Sequence, residues 1–381
     1  MNPRRLVDTT LFYSPTSGGV RRYLTAKHAW LAAQPGWHHT LLVPGAIERL
    51  EPGGLSTLAG VPVPGSFNYR LPLSPRRWAQ LLDALEPDLI ETGDAFHPAW
   101  AALRVARRRG IPCAAFFHSN LPRIVARRFG GRPTERLAGH YLRWLYERFD
   151  VVFAPSRRMV EFLEDLGVSH TVHQPLGVDE AVFHPRRRGS WLRERLGLAA
   201  DARVLVYAGR FTGEKNVPVL LRAFARLGRP YHLLMIGGGR EGRLAANVTL
   251  LPYRRDSVEL AQWLASGDAL VHAGTRETFG LVILEAMACA RPVIAARAGA
   301  VPELLDERSG LLTEPGDDAD LAAAIAALYE RDLDALGDHA RARVLQQFTW
   351  RKIFQRQLVV YRALLAGGID AATEEELAEA G

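Results

Sequence analysis

The chain has 381 residues, more than one hydrophobic core usually supports, so two domains are expected. Its 48% hydrophobic and 23% charged residues exclude the disordered and fibrous classes. A net charge of +7 and a pI near 9.7 suit a polyanionic partner: phosphates, nucleic acid or an acidic lipid surface. The two cysteines, Cys113 and Cys289, lie in apolar runs and read as buried thiols of a reducing compartment, with no disulfide framework and no zinc site. The start, MNPRRLVDTT, lacks the apolar core of a signal peptide, and no segment approaches the roughly 20 apolar residues of a membrane-spanning helix. A cytoplasmic protein is expected, one that can still lie against a membrane.

Short apolar runs alternate with helical patterns along the whole chain, the mark of βαβ units and parallel sheets. The first half offers strands at HHTLLVP, DLIET, IPCAAFFH and VVFAPS, with helical periodicity in RRYLTAKHAWLAA and TERLAGHYLRWLYERF. A Pro- and Arg-rich stretch, QPLGVDEAVFHPRRR at 174–188, is the linker candidate. The alternation restarts with RVLVYAGR, YHLLMIGGG, NVTLLPY, ALVHAG and PVIAARA, includes the helix FGLVILEAMACA, and ends in WRKIFQRQLVVYRALLA and an acidic tail, EEELAEAG. The fold class is therefore α/β, two doubly wound domains joined by a hinge. In such sheets ligands bind at the carboxyl ends of strands. Residues of distinctive chemistry do follow strands: Gly18 and Gly19, His118, Arg210 and Glu277.

Four segments carry the chemistry. In TRETFGLVILE, a loop glutamate, Glu277, and a helix glutamate, Glu285, stand about two turns apart. The N–H groups of Thr278, Phe279 and Gly280 would be donors at the helix start. For the two glutamates alone, a capping Glu277 and a solvated Glu285 is the simpler reading. In YAGRFTGEKNVPVLL, Arg210 and Lys215 flank a turn before a helix, a natural cradle for a diphosphate. The alternative is a surface loop in an arginine-rich chain. Against it, only three lysines occur, Lys27, Lys215 and Lys352, and one falls here. In SPTSGGVRRYL, paired glycines permit positive φ and close backbone approach before a helix, although a Gly-Gly turn alone is a weak signal. In FFHSNLPR, His118 ends a strand, and a lone histidine is more often structural than catalytic.

Together and in this order, the four segments resemble the retaining glycosyltransferases of family four, which have the GT-B fold. The similarity runs over nearly the whole chain and is most specific over 203–305, where GRFTGEKN, ETFGLVILE and PVIAARAGAVPE match the family pattern. The resemblance implies two Rossmann-like domains facing a central cleft, an N-terminal acceptor-side domain over 1–175 and a nucleotide-sugar-binding domain over 176–348. A terminal segment at 349–381 would pack back toward the first domain. Arg210 and Lys215 would hold the donor diphosphate. Glu277 and the N–H groups of Thr278, Phe279 and Gly280 would orient the donor sugar, and Glu285 would bind the ribose. Leu251 to Arg254 would lie along the nucleobase, Gly18 and Gly19 would close over the phosphates, and His118 would approach the reacting sugar. For Glu277, orienting sugar hydroxyls is preferred to acting as nucleophile.

The implied reaction moves a hexose from a UDP- or GDP-sugar to a lipid or glycan acceptor with retention, without metal or other cofactor. Asp317–Asp318 and Asp332/Asp334, the only pairs of metal-site type, read as solvated helix surface. Arginine clusters at Arg76–Arg77 beside Trp78, at Arg107 to Arg109, and at Arg123, Arg127 and Arg128 suggest peripheral contact with an anionic membrane, weighed evenly against a plain basic surface. A nucleotide-sugar epimerase or hydrolase on the same scaffold is the competing enzyme class. A nucleic-acid-binding protein is disfavoured, because no aromatic residues interleave with basic ones in a binding motif.

Overall fold

The computed structural model describes residues 3–14, 18–64, 66, 68–118 and 130–369. Arg123, Arg127, Arg128 and the acidic tail lie outside the described residues. The chain divides into two compact units, one of Met1–Pro175 with Trp350–Gly381, the other of Leu176–Thr349.

The strands of the first unit are β1 (Arg4–Thr9), β2 (Trp37–Gly45), β3 (Leu55–Ala59), β4 (Val61–Pro62), β5 (Arg70–Leu71), β6 (Leu89–Thr92), β7 (Cys113–Phe116), β8 (Val151–Ala154) and β9 (Thr171–His173). Seven of them form a sheet in the order β3-β2-β1-β6-β7-β8-β9, with every neighbouring pair parallel. The strand β1 lies at the point where the order reverses. Loops after β1, β6 and β7 therefore emerge side by side at one edge, the place where such sheets hold ligands. The central strands are buried on both faces, which explains their continuous apolar runs. One face packs Val7, Leu42, Ile90, Ala115 and Val152 against Trp78, Leu82, Ala102 and Leu142. The helices open on local signals: Ser74 accepts from Arg77 N–H ahead of Pro75, and Ser156 accepts from Met159 N–H.

The second unit repeats the plan with β10 (Arg203–Ala208), β11 (Tyr231–Gly238), β12 (Gly242–Ala245), β13 (Val248–Pro252), β14 (Ala269–His272), β15 (Val293–Ala296) and β16 (Gly310–Thr313). The order is β12-β13-β11-β10-β14-β15-β16, parallel except for the antiparallel edge strand β12. Its switch point lies between β10 and β14.

Several expectations change. Trp78, placed on a basic surface by its sequence neighbours, is fully buried, and its indole N–H donates to Thr9 Oγ1 at 2.8 Å. Arg77 pairs with Glu48, and Arg108 and Arg109 both pair with Asp83, so these clusters carry less free charge than a count suggests. Asp317 and Asp332 are not merely solvated; each caps a helix N-terminus, and Asp318 pairs with Arg222 and Arg226. Both cysteines are buried and unbridged, and burial pushes the Cys289 thiol up to about 12. Among the described residues, no helix is long and apolar enough to cross a membrane.

Candidate active site

Two neighbouring parallel strands, β10 and β14, deliver the central pair of residues. After β10 the chain makes a short 3-10 turn over Gly213–Lys215, and Asn216 takes a left-handed conformation before the helix Val217–Leu227. After β14 it runs through Gly274 to Gly280, which is left-handed at φ 107° and opens the helix Leu281–Ala288. Thr275 N–H donates to the Glu214 carbonyl at 3.2 Å, tying the two loops together. Lys215 Nζ and Glu277 Oε1 then meet in an ion pair.

The pair is largely sheltered, with side-chain exposures of 18% for Lys215 and 14% for Glu277. Buried His272, the last residue of β14, stands 3.0 Å from the same carboxylate oxygen. Burial opposes ionisation of Glu277, yet the Lys215 charge and His272 outweigh it and hold the carboxyl well below the usual glutamate range. Backbone packing fixes the loop. Gly299 sits at φ +59°, and a Cβ there would come within 2.4 Å of the Glu277 carbonyl oxygen, which accepts from Ala300 N–H at 3.0 Å. A Cβ on Gly274 would reach His272 at 2.6 Å.

The remaining predicted residues of this unit fall around the pair with differing relations to it. Arg210 is exposed, with its carbonyl accepting from Tyr207 hydroxyl at 2.8 Å; its positive charge is among those holding Glu214 below its ordinary range despite burial. Among the described residues, Arg210 forms no ion pair with Glu277, which Lys215 holds. Glu285 is 2% exposed, so it is not a solvated face residue. Gly280 caps the helix without a side-chain partner, so Glu277 is not a helix cap either. Phe279 is buried against Phe348. The residues 278–280 lead into the first helical turn, where Ile283 N–H donates to the Gly280 carbonyl at 2.9 Å. Leu251 is buried in β13, Tyr253 is exposed just beyond the strand, and Arg254 pairs with Glu259 at 3.2 Å.

Gly18, Gly19 and His118 belong to the first unit. The helix Gly19–Ala32 begins within the glycine pair, but Gly18 has φ −82°, so positive φ is not what the pair supplies. A Cβ on Gly18 would meet nothing within 4 Å, leaving open space beside the backbone. His118 lies two residues beyond β7, its ring stacked on Phe116 at 4.2 Å and 9° and met by the edge of Tyr23 at 5.2 Å. Burial and the Lys27 charge push the imidazole down to about 3, so it is neutral at ordinary pH.

Sequence reasoning did not find the cluster beneath His118. Lys27 is 1% exposed and binds Asp8 at 2.9 Å and Glu91 at 2.8 Å, while His39 binds Asp8 at 2.9 Å. The scarcity of lysine was the available signal, together with carboxylates inside otherwise apolar strands. His272 was missed because a histidine closing an apolar strand looks like core. Among the described residues, no group of three or more His, Cys, Asp or Glu is placed to hold a metal ion.

Residues 17–182 match the family described as Glycosyltransferase Family 4, and residues 202–331 match Glycosyl transferases group 1. A GDP-mannose-dependent alpha-(1-6)-phosphatidylinositol dimannoside mannosyltransferase of Mycobacterium tuberculosis is 30% identical, covering 94% of this chain and 96% of the relative. The chain belongs to glycosyltransferase family four. A second relative of this glycosyltransferase, the sulfoquinovosyl transferase of Arabidopsis thaliana, is 28% identical over 74% of the chain and 57% of its own length. Among solved structures, sucrose-phosphate synthase of Thermosynechococcus elongatus superposes with a TM-score of 0.79 at 23% identity, covering 96% of this chain and all of that one (100%). The Anabaena protein HepE in complex with UDP and glucose gives 0.74 at 22% identity, covering 95% and 100%. The glycosyltransferase therefore has the GT-B fold.

Proposed function

We propose that this glycosyltransferase is a metal-independent, retaining hexosyltransferase that uses a nucleotide diphosphate sugar, with GDP-mannose as its donor and a lipid-linked glycan as its acceptor. The observation that carries the reading is the Lys215–Glu277–His272 group at the ends of β10 and β14, beside the start of the helix Leu281–Ala288. Lys215, and Arg210 from the same loop, supply positive charge to a diphosphate, and the helix amides supply dipoles. Glu277, kept ionised, accepts hydrogen bonds from sugar hydroxyls. Charge gathering on the leaving diphosphate oxygen is thereby offset by fixed groups, the task a divalent ion performs elsewhere. The choice of donor follows the mycobacterial relative, whose name specifies GDP-mannose, and the lipid-linked acceptor follows the same name.

In the transfer, the bond from the anomeric carbon to the diphosphate oxygen breaks and the bond to the acceptor oxygen forms on the same face. The acceptor hydroxyl proton passes to the departing phosphate oxygen. The resemblance assigns His118 to the reacting sugar and Gly18 and Gly19 to the phosphates. Peripheral contact with an anionic leaflet, through arginines such as Arg76 and Arg107, belongs to the same proposal.

The test is transfer from GDP-mannose, UDP-glucose and UDP-galactose to a mannosylated phosphatidylinositol in the presence of EDTA, with the anomer read by NMR. Alpha-linked mannose formed from GDP-mannose alone is expected. Loss of transfer in EDTA, restored by a divalent ion, would overturn metal independence, and a beta linkage would overturn retention.

A further inference from the structure

The base of the first sheet's ligand edge holds an unusual polar cluster. Tyr23, from the helix Gly19–Ala32, donates its hydroxyl to Glu91 of β6 at 3.1 Å. The amide of Gln357, 334 positions along the chain in the terminal helix Trp350–Ala366, donates to that hydroxyl at 2.7 Å and to Glu91 at 3.0 Å. Tyr361 of the same helix also donates to Glu91. Lys27 lies one turn beyond Tyr23, pairs with Glu91 and Asp8, and sits 5.4 Å from the Tyr23 ring and 5.0 Å from the Tyr361 ring. Every one of these side chains is 2% exposed or less.

Such a cluster does not stabilise cheaply, since burying two carboxylates and an ammonium carries a desolvation cost that well-packed apolar residues avoid. Its outcome is a Tyr23 ring anchored through its hydroxyl. The hydroxyl is held from two sides, and the ring packs against Phe116, Phe354 and Trp350. Tyr23 also meets the His118 ring, which lies against Phe116 and the bare Gly93, where a Cβ would come within 3.2 Å of the imidazole. Among the described residues, Phe116, Gly93 and Tyr23 thus border His118, and Tyr23 is the one of the three whose side chain is hydrogen-bonded into the buried cluster.

We propose that Tyr23 is a positioning residue for His118, with Glu91 and the terminal helix's Gln357 fixing the tyrosine and Lys27 balancing the charge that this requires. The proposal rests on the assignment of His118 to the reacting sugar. It makes the last helix part of the reaction apparatus of the first unit, acting through Tyr23 without touching substrate.

The experiment compares Tyr23→Leu, which removes the ring, Tyr23→Phe, which keeps it, His118→Ala, and Leu82→Ala, a packing control in the same unit's core. Mannose transfer is measured as kcat and donor KM per folded molecule, and the His118 ring proton is followed by NMR, assigned by its loss in His118→Ala. Tyr23→Leu should lower kcat about tenfold or more with donor KM unchanged, because misplacing a reacting group acts on the transition state. It should also move the His118 resonance. Tyr23→Phe, which keeps the ring but frees it from Glu91 and Gln357, should lower kcat by less than Tyr23→Leu and still move the His118 resonance, and Leu82→Ala should lose thermal stability without losing kcat. If His118→Ala is inactive while Tyr23→Leu matches Leu82→Ala, the positioning role is wrong and the His118 assignment stands. If His118→Ala is fully active, the assignment fails and the inference with it. Should Tyr23→Leu not fold, Gln357→Leu replaces it; an unmoved His118 resonance and parental kcat would overturn the proposal.

Discussion

Lys215 pairs with Glu277, and the function proposed above asks it also to meet a diphosphate when donor arrives. A single ammonium has three donor protons, so it can keep the carboxylate and add phosphate oxygens. Lys215→Ala removes both partners at once, and turnover should fall about 100- to 1000-fold, the range found when one preorganised charge-stabilising group is lost. Steady-state kinetics with purified protein would show it, and unchanged kcat would reject the cradle. Glu277 itself is held ionised far into acid. A depressed folded pKa contributes stability above the ordinary glutamate value, lost only as pH falls below it, so donor KM should stay flat between about pH 5 and 8. Asp94 behaves oppositely. Burial raises it to about 6 despite hydrogen bonds from Leu11 N–H, Phe96 N–H and Thr10. Its contribution is complete below the ordinary aspartate value and disappears as pH rises through about 6, a loss of up to about 3 kcal/mol. Urea titrations from pH 4 to 7 should show that decline in the parent and a flatter curve in Asp94→Asn. Parallel curves for the two proteins would remove Asp94 as its source.

At the scale of elements, the loop carrying Glu277 is set by a contact between backbones. Gly299→Ala adds a methyl that would lie 2.4 Å from the Glu277 carbonyl oxygen, at a φ of +59° that alanine disfavours. The loop must shift, and donor KM should rise about tenfold or more while the unit stays folded by circular dichroism; parental KM would show the loop free to adapt. The sequence displayed the glycine but not its neighbour, which lies across two loops. What the sequence did display were elements whose burial pattern is strong. The central strands β6, β10 and β14 and the helix Trp350–Ala366 follow from apolar runs and helical periodicity, whereas β1 has only Leu6 and Val7 as apolar residues and offers no such run. The short edge strands β3, β9, β12 and β16 escaped notice, since each has few residues and none is buried along its whole length. The partners of Glu91 escaped for another reason. Tyr23, Gln357 and Tyr361 come from two helices at opposite ends of the chain, and no local pattern joins them.

At the scale of the whole molecule, composition gave the sign of the charge and little about its use. A net charge of +7 suggests a strongly basic surface, yet Arg77, Arg108 and Arg109 are answered by Glu48 and Asp83, and the tryptophan after Arg76 and Arg77 supports the core. Burial cannot be read from one residue's neighbours in sequence: Trp78 follows two arginines because the helix Pro75–Ala84 turns one face inward. Any attraction to an anionic leaflet then rests on long-range charge, without an aromatic anchor from Trp78, and such attraction is screened beyond about 10 Å at 0.1 M salt. Sedimentation with vesicles of phosphatidylglycerol should retain the protein at low salt and release it by about 0.3 M, with none retained on phosphatidylcholine. Arg76→Glu with Arg107→Glu should weaken retention while leaving transfer to a water-soluble acceptor intact. Equal partitioning onto both lipids would show that the basic arginines do not govern where this glycosyltransferase works.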